Sequence, residues 1–116
     1  MSKNIWVFCE QRDGELQNVA LELLGVAREL AAKTGEKVGA LLLGHNVADK
    51  AATLIAHGAD EVYLVDDEVL HYYTTEAYAQ AVYKIVTDGE PNVLMFGATS
   101  IGRDLAPACL PGCTPA

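Results

Sequence analysis

Basic residues are scarce in this 116-residue chain: eight lysines and arginines stand against sixteen aspartates and glutamates, a net charge of −8. That excess repels phosphate backbones and anionic headgroups, so neither nucleic acid nor a membrane surface is expected as a partner. Long apolar runs are lacking as well. The first, Ile5-Trp6-Val7-Phe8-Cys9, is too short for the hydrophobic segment of a signal peptide, and no later stretch approaches bilayer-spanning length. A cytoplasmic protein without membrane insertion is the expectation. Only three cysteines occur. Cys109 and Cys113 have a spacing compatible with a metal or redox pair, but no histidine or further cysteine lies nearby to complete a tetrahedral set. Cys9, inside an apolar run, reads as a small buried hydrophobe. His45, His57 and His71 each fall beside a turn, and no two are four residues apart on a helix, so no metal site is expected. Nor can a Ser-His-Asp or Cys-His set be assembled, and no catalytic residues are expected.

What is present is an ordinary globular composition, 51% hydrophobic and 21% charged, at a length that supports one small domain. Strands and helices alternate along it. Ile5–Cys9 reads as a buried strand, followed by the polar break Gln11-Arg12-Asp13-Gly14. From Leu16 the positions Ala20, Leu23, Leu24, Ala27, Leu30 and Ala31 recur at helical spacing, with Asn18 as N-cap and Gly35 as the stop. Val38–Leu43, six residues without a charge, suits a strand covered on both faces. After the turn Gly44-His45-Asn46, a helix rich in small residues runs from Ala48 to about Gly58. Glu61–Val65 is a third strand, and Asp66-Asp67-Glu68 an acidic loop. Thr74 or Thr75 then caps a helix whose Tyr78, Ala81, Val82, Ile85 and Val86 form one stripe, ending at Asp88-Gly89. Pro91 resets the chain, and Asn92–Gly97 is a fourth strand. Such alternation predicts a three-layer, doubly wound α/β fold with a mainly parallel, Rossmann-like sheet and right-handed crossovers. Ligands or partners of such a sheet approach its carboxyl edge, here near Glu10-Gln11-Arg12, Gly44-His45-Asn46, Asp66-Asp67 and Gly97 to Gly102.

At that edge Gly97-Ala98-Thr99-Ser100-Ile101-Gly102-Arg103-Asp104 follows a strand and should open a helix. Backbone N–H groups with Ser100, Gly102 and Arg103 make it a candidate anion pocket. It is neither a G-x-G-x-x-G fingerprint nor a P-loop, and a strand-to-helix turn with close glycine packing accounts for the same residues. Asp66, Asp67 and Glu68 read either as an acid pair or cation site, or as a solvated loop. Tyr72 and Tyr73 can face a planar ligand, or staple the third helix to the sheet.

Several stretches together resemble one family, the alpha subunits of electron-transfer flavoproteins. They are Trp6-Val7-Phe8-Cys9-Glu10-Gln11-Arg12-Asp13-Gly14-Glu15-Leu16-Gln17, Leu21 to Gly25, Leu42 to Asn46, His57-Gly58-Ala59-Asp60 and Phe96 to Pro107, in the family's order and spacing. The resemblance covers residues 3 to 107. It implies the N-terminal domain, 1–107, of a heterodimeric electron carrier that is not itself an enzyme. Full-length members take electrons from acyl-CoA-type flavoprotein dehydrogenases, pair with a beta subunit, and pass the electrons to the respiratory chain on FAD. The flavin sits mainly in a later domain, none of its motifs matches a position here, and no cofactor is expected on this chain alone. A free-standing adenine-nucleotide-binding module is the alternative.

After Pro107 the resemblance stops. Such subunits continue with an arginine and a helix, whereas Pro111, Gly112 and Pro115 cannot continue one. Residues 108–116 therefore read as an aberrant tail left by truncation, with a frameshift expected near Ala108. On that reading the helix after the fourth strand is missing, and apolar sheet surface beside Leu94 and Phe96 is left uncovered.

Overall fold

The computed structural model describes residues 4–12, 14–89, 91–97, 99, 101 and 103–105. Ser100, Gly102, Cys109, Cys113 and the whole tail 108–116 lie outside the described residues.

The first strand, β1 (Ile5–Phe8), is buried along its whole length because it is paired on both sides. A two-residue hairpin follows, β2 (Gln11–Arg12) against β3 (Glu15–Leu16), with Gly14 in the left-handed region at φ 82°. Where a polar break was expected, the chain thus makes a small second sheet. Then come α1 (Asn18–Thr34), β4 (Val38–Gly44), α2 (Ala51–Ala56), β5 (Glu61–Asp66), α3 (Thr75–Gly89) and β6 (Val93–Met95). The main sheet has the order β5-β4-β1-β6 and is parallel throughout, with Ile5 opposite both Val38 and Val93, and Gly39 opposite Glu61. Parallel neighbours need crossovers, and each crossover here contains one of the three helices. The expected doubly wound α/β architecture is the one observed.

The period of two along the strands sorts the core into two clusters. Ile5, Val7, Cys9, Val38, Ala40 and Leu42 face α1 and α2, meeting Ala20, Leu24, Ala27, Ala31 and Leu54. Trp6, Phe8, Leu41 and Leu43 face α3, meeting Tyr78 and Val82. In β4 all seven residues are buried, as its uncharged sequence requires of a strand covered on both faces.

Three local expectations change. Gln17, not Asn18, is the N-cap of α1; its backbone is extended, it makes no side-chain cap bond, and Asn18 is already helical. Leu30 is 40% exposed rather than part of the buried stripe, because residues 20, 24, 27 and 31 complete one helical row and Leu30 falls on its flank. The second helix begins as a 3₁₀ turn at Ala48–Lys50 before α2. By contrast Gly35 ends α1 as expected, at φ 73°, with its N–H bonded to the Ala31 carbonyl at 2.8 Å.

Phe96 is not left bare. Residue 101 and residues 103–105 are helical, Leu105 is fully buried, and with Ile101 it packs in the same cluster as Phe96, which is 3% exposed. Leu94 is half-buried there. The described helical residues after β6 thus contribute to covering this end of the sheet, with Leu105 buried in one cluster with Phe8 and Phe96.

Candidate functional site

Beyond β1 the chain crosses the carboxyl edge of the sheet, and Gln11 does most to hold that edge together. Its Nε2 donates to the Leu43 carbonyl and to the Tyr78 hydroxyl, each at 3.1 Å, while its Oε1 accepts from the Gly14 N–H at 2.8 Å. One amide side chain therefore ties the hairpin, β4 and α3 together. The missing side chain of Gly44 makes room for this, since a Cβ there would lie 2.8 Å from Gln11 Nε2. Tyr78 passes the connection on by donating to the Leu70 carbonyl at 2.7 Å. Burial raises the Tyr78 phenol above its ordinary pKa, partly offset by the bond from Gln11.

Around this amide lies a cleft of about 140 Å³ lined by Phe8, Glu10, Gln11, Arg12, Leu43, His71, Tyr72, Tyr73, Tyr78 and Ile101. Glu10 is the one buried charged residue among those described, at 6% exposure, and its Oε1 accepts from the Thr99 hydroxyl. Arg12, His71 and Tyr72 stand exposed at the mouth. Tyr73 behaves as a staple: its ring meets Tyr78 at 5.1 Å and its hydroxyl donates to Asp104 at 2.6 Å. Tyr72 does not, being 71% exposed. Asp104 also accepts from Thr75, and the Thr75 and Tyr73 bonds together hold its carboxyl below the usual pKa.

The acidic loop is structural. Asp66 accepts from the N–H of Asn46, which has a positive φ of 58°, at 2.9 Å and from that of Val47 at 3.3 Å. Asp67 caps the 3₁₀ turn Glu68–Leu70 through the Val69 N–H. This is the usual way aspartate stabilises a tight turn. His45 and His71, far apart in sequence, come together with ring centroids 5.7 Å apart, edge to face, while His57 sits at the carboxyl cap of α2. Among the described residues no group of three or more histidine, cysteine, aspartate or glutamate side chains can hold a metal ion. Of the candidate anion pocket, Ser100 and Gly102 lie outside the described residues. Arg103 is exposed, and its N–H is spent on the Thr99 carbonyl at 2.9 Å. Cys9 is buried, and desolvation pushes its thiol up to about 12. The sequence marked two parts of this cleft separately, Glu10-Gln11-Arg12 at the carboxyl edge and Tyr72-Tyr73 as a candidate planar-ligand face, but not that these segments, some sixty residues apart, meet.

A parallel sheet in this order, edged by the β2–β3 hairpin of Gln11–Arg12 and Glu15–Leu16, coincides with a match of residues 5–109 to the electron transfer flavoprotein domain. The chain belongs to the electron transfer flavoprotein family. Among its relatives, an electron transfer flavoprotein subunit alpha of Thermoanaerobacterium thermosaccharolyticum is 55% identical over 105 residues, 90% of this chain and 32% of that protein. The corresponding subunit of Clostridium acetobutylicum is 50% identical over 90% of this chain and 31% of its own length. An acryloyl-CoA reductase electron transfer subunit beta of Anaerotignum propionicum is 47% identical over 92% of this chain and 29% of its own length. The chain thus spans about a third of the length of the curated relatives it matches. The cleft's volume is below the roughly 300–1,000 Å³ of usual ligand pockets, and Glu10, the one buried charge among the described residues, has the same sign as a pyrophosphate. No helix among the described residues is long and apolar enough to cross a membrane.

Proposed function

We propose that this domain is the N-terminal scaffold, residues 1–107, of an electron transfer flavoprotein alpha subunit in a bacterial cytoplasm. The full-length subunit carries electrons on FAD from acyl-CoA-type flavoprotein dehydrogenases towards the respiratory chain, as half of a heterodimer with a beta subunit. The single observation behind this reading is 55% identity to an alpha subunit across 90% of the chain. The cleft's small volume and buried carboxylate agree with a flavin housed in other polypeptide. On this reading the domain performs no redox step itself. It supplies a rigid sheet, and the relatives' names describe transfer of electrons rather than conversion of a substrate.

Two measurements test it. The purified chain, incubated with excess FAD and desalted, is expected to keep no flavin absorbance, and stoichiometric retention overturns the scaffold reading. Co-expressed with the beta subunit of a close relative, the chain is expected to co-purify with it. Failure of a well-folded chain to associate would remove the heterodimer assignment.

A further inference from the structure

The cleft at the carboxyl edge is polarised along its depth. Its inner wall consists of buried Phe8, Leu43 and Tyr78 with the buried carboxylate of Glu10. At the mouth stands the exposed guanidinium of Arg12. Most polar atoms inside are already engaged: the Gln11 amide makes three bonds, and the Tyr78 hydroxyl both donates and accepts. One oxygen of Glu10, Oε1, accepts from the Thr99 hydroxyl, so the acceptor a ligand would use is the second carboxylate oxygen. A ligand entering here meets aromatic and aliphatic surface on its sides, a hydrogen-bond acceptor at its inner end and a cation at its outer end. The volume, about 140 Å³, suits a single six-membered ring, since an apolar cavity of about 150 Å³ holds benzene.

We propose that this cleft binds a monocyclic aromatic acid that carries a hydrogen-bond donor on the ring opposite the acid group. The ring lies among Phe8, Leu43 and Tyr78, the donor reaches Glu10, and the acid group pairs with Arg12. The polarity sets the orientation. An acid group at the inner end would face the Glu10 carboxylate in a water-poor setting, where like charges repel strongly. An amine at the mouth would face Arg12. Because the site uses no feature of electron transfer, it stands or falls separately from the scaffold reading.

The test is titration of the isotope-labelled 116-residue chain with 4-hydroxyphenylacetate, followed by amide chemical shifts. Tyramine, the same phenol with an ammonium in place of the acid, is the charge-reversed control. Saturable shifts confined to Gln11, Arg12, Leu43, Tyr73 and their neighbours are expected, with a Kd of about 1 mM or tighter for a ligand of this size. Tyramine is expected to bind about tenfold more weakly or not at all, and Arg12→Ala to weaken the acid by about tenfold, the scale of a charge-assisted contact. Ile101→Trp, which fills the cleft from its rim, should abolish the shifts while Arg12 stays in place. Absence of saturable shifts with the acid, equal binding of tyramine, or acid binding unchanged by both substitutions would each overturn the proposal.

Discussion

The two faces of the sheet are built from the same four strands yet differ in kind. The face under α1 and α2 is aliphatic and closely fitted: alanines of α1 lie against Ile5, Val7 and Leu42, and every residue of that cluster is less than 5% exposed. The face under α3 is aromatic, and its core residues are as deeply buried, at 4% exposure or less. It holds Trp6, Phe8, Tyr78 and Phe96, the cleft, and a buried Trp6 indole N–H with no hydrogen-bond partner among the described residues. Small side chains allow helix and strand backbones to approach, so little space remains between them. Large rings with fixed shapes leave gaps at their edges, and those gaps are where a ligand can enter. Alanine-lined close packing thus marks one side of this domain, and the cleft opens on the other.

The difference can be attacked at its strongest point through Cys9, on the aliphatic face. With its thiol pushed up to about 12 by burial, Cys9 carries far less thiolate at neutral pH than an ordinary exposed cysteine. Alkylation of the native protein, read by peptide mass mapping, should leave Cys9 unmodified while the denatured chain reacts fully. Ready labelling in the native state would mean that the aliphatic face opens as easily as the aromatic one. Next in size, Leu24→Ala on the same face should cost about 2–5 kcal/mol in chemical denaturation, because a fitted surface cannot collapse into the hole.

Crowding on the aromatic face provides the matching test. A Cβ on Gly39 would lie 2.6 Å from the Trp6 ring and 2.9 Å from Tyr63, and one on Gly89 would run into the other end of the same indole. Gly39→Ala should therefore destabilise by about 1–3 kcal/mol through overpacking. In combination with Trp6→Phe it should cost less than the sum of the two single changes, since the smaller ring makes room. Strict additivity would show that the indole is not what Gly39 accommodates.

The smallest effect belongs to the sheet's amino end, where Asp60 accepts from the Val38 N–H at 2.9 Å and pairs with Arg28 at 2.7 Å. The Val38 bond first, and Arg28 after it, hold its carboxyl below the ordinary pKa. A depressed carboxyl contributes stability above its unfolded pKa of about 4, and that contribution disappears as pH falls through the lower folded value. Asp60→Asn should cost about 1 kcal/mol or less at neutral pH, as expected of an exposed pair with one backbone bond. It should also flatten the loss of stability between neutral pH and pH 3 or so. An unchanged acid limb would assign that loss to other carboxylates.

The fold was largely legible in the sequence. In β1 and β4, runs without charge could only be buried strands, and in α1 the spacing of Ala20, Leu24, Ala27 and Ala31 admits no other period. What escaped was short or remote. The β2–β3 hairpin has two residues per strand and so carries no alternation to read. Asn18 has the side chain of a cap but lies one position inside the helix. The cleft joins Glu10-Gln11-Arg12 to Tyr72, Tyr73 and Tyr78, and only the tertiary fold brings those segments together. Each tyrosine had two readings in the sequence, and burial separates them: Tyr73 staples, while Tyr72 faces solvent.

The pairing of β1 with β6 has a consequence for how the chain is made. Ile5 leaves the ribosome well before its partner Val93, which is about 90 residues behind it. Until that segment emerges, one side of the central strand stays unpaired, and the domain can close only late in its own synthesis. Long-range closure of this kind is slow and exposes apolar surface while it waits. A nascent chain stalled before β6 is therefore the form of this protein most dependent on chaperones.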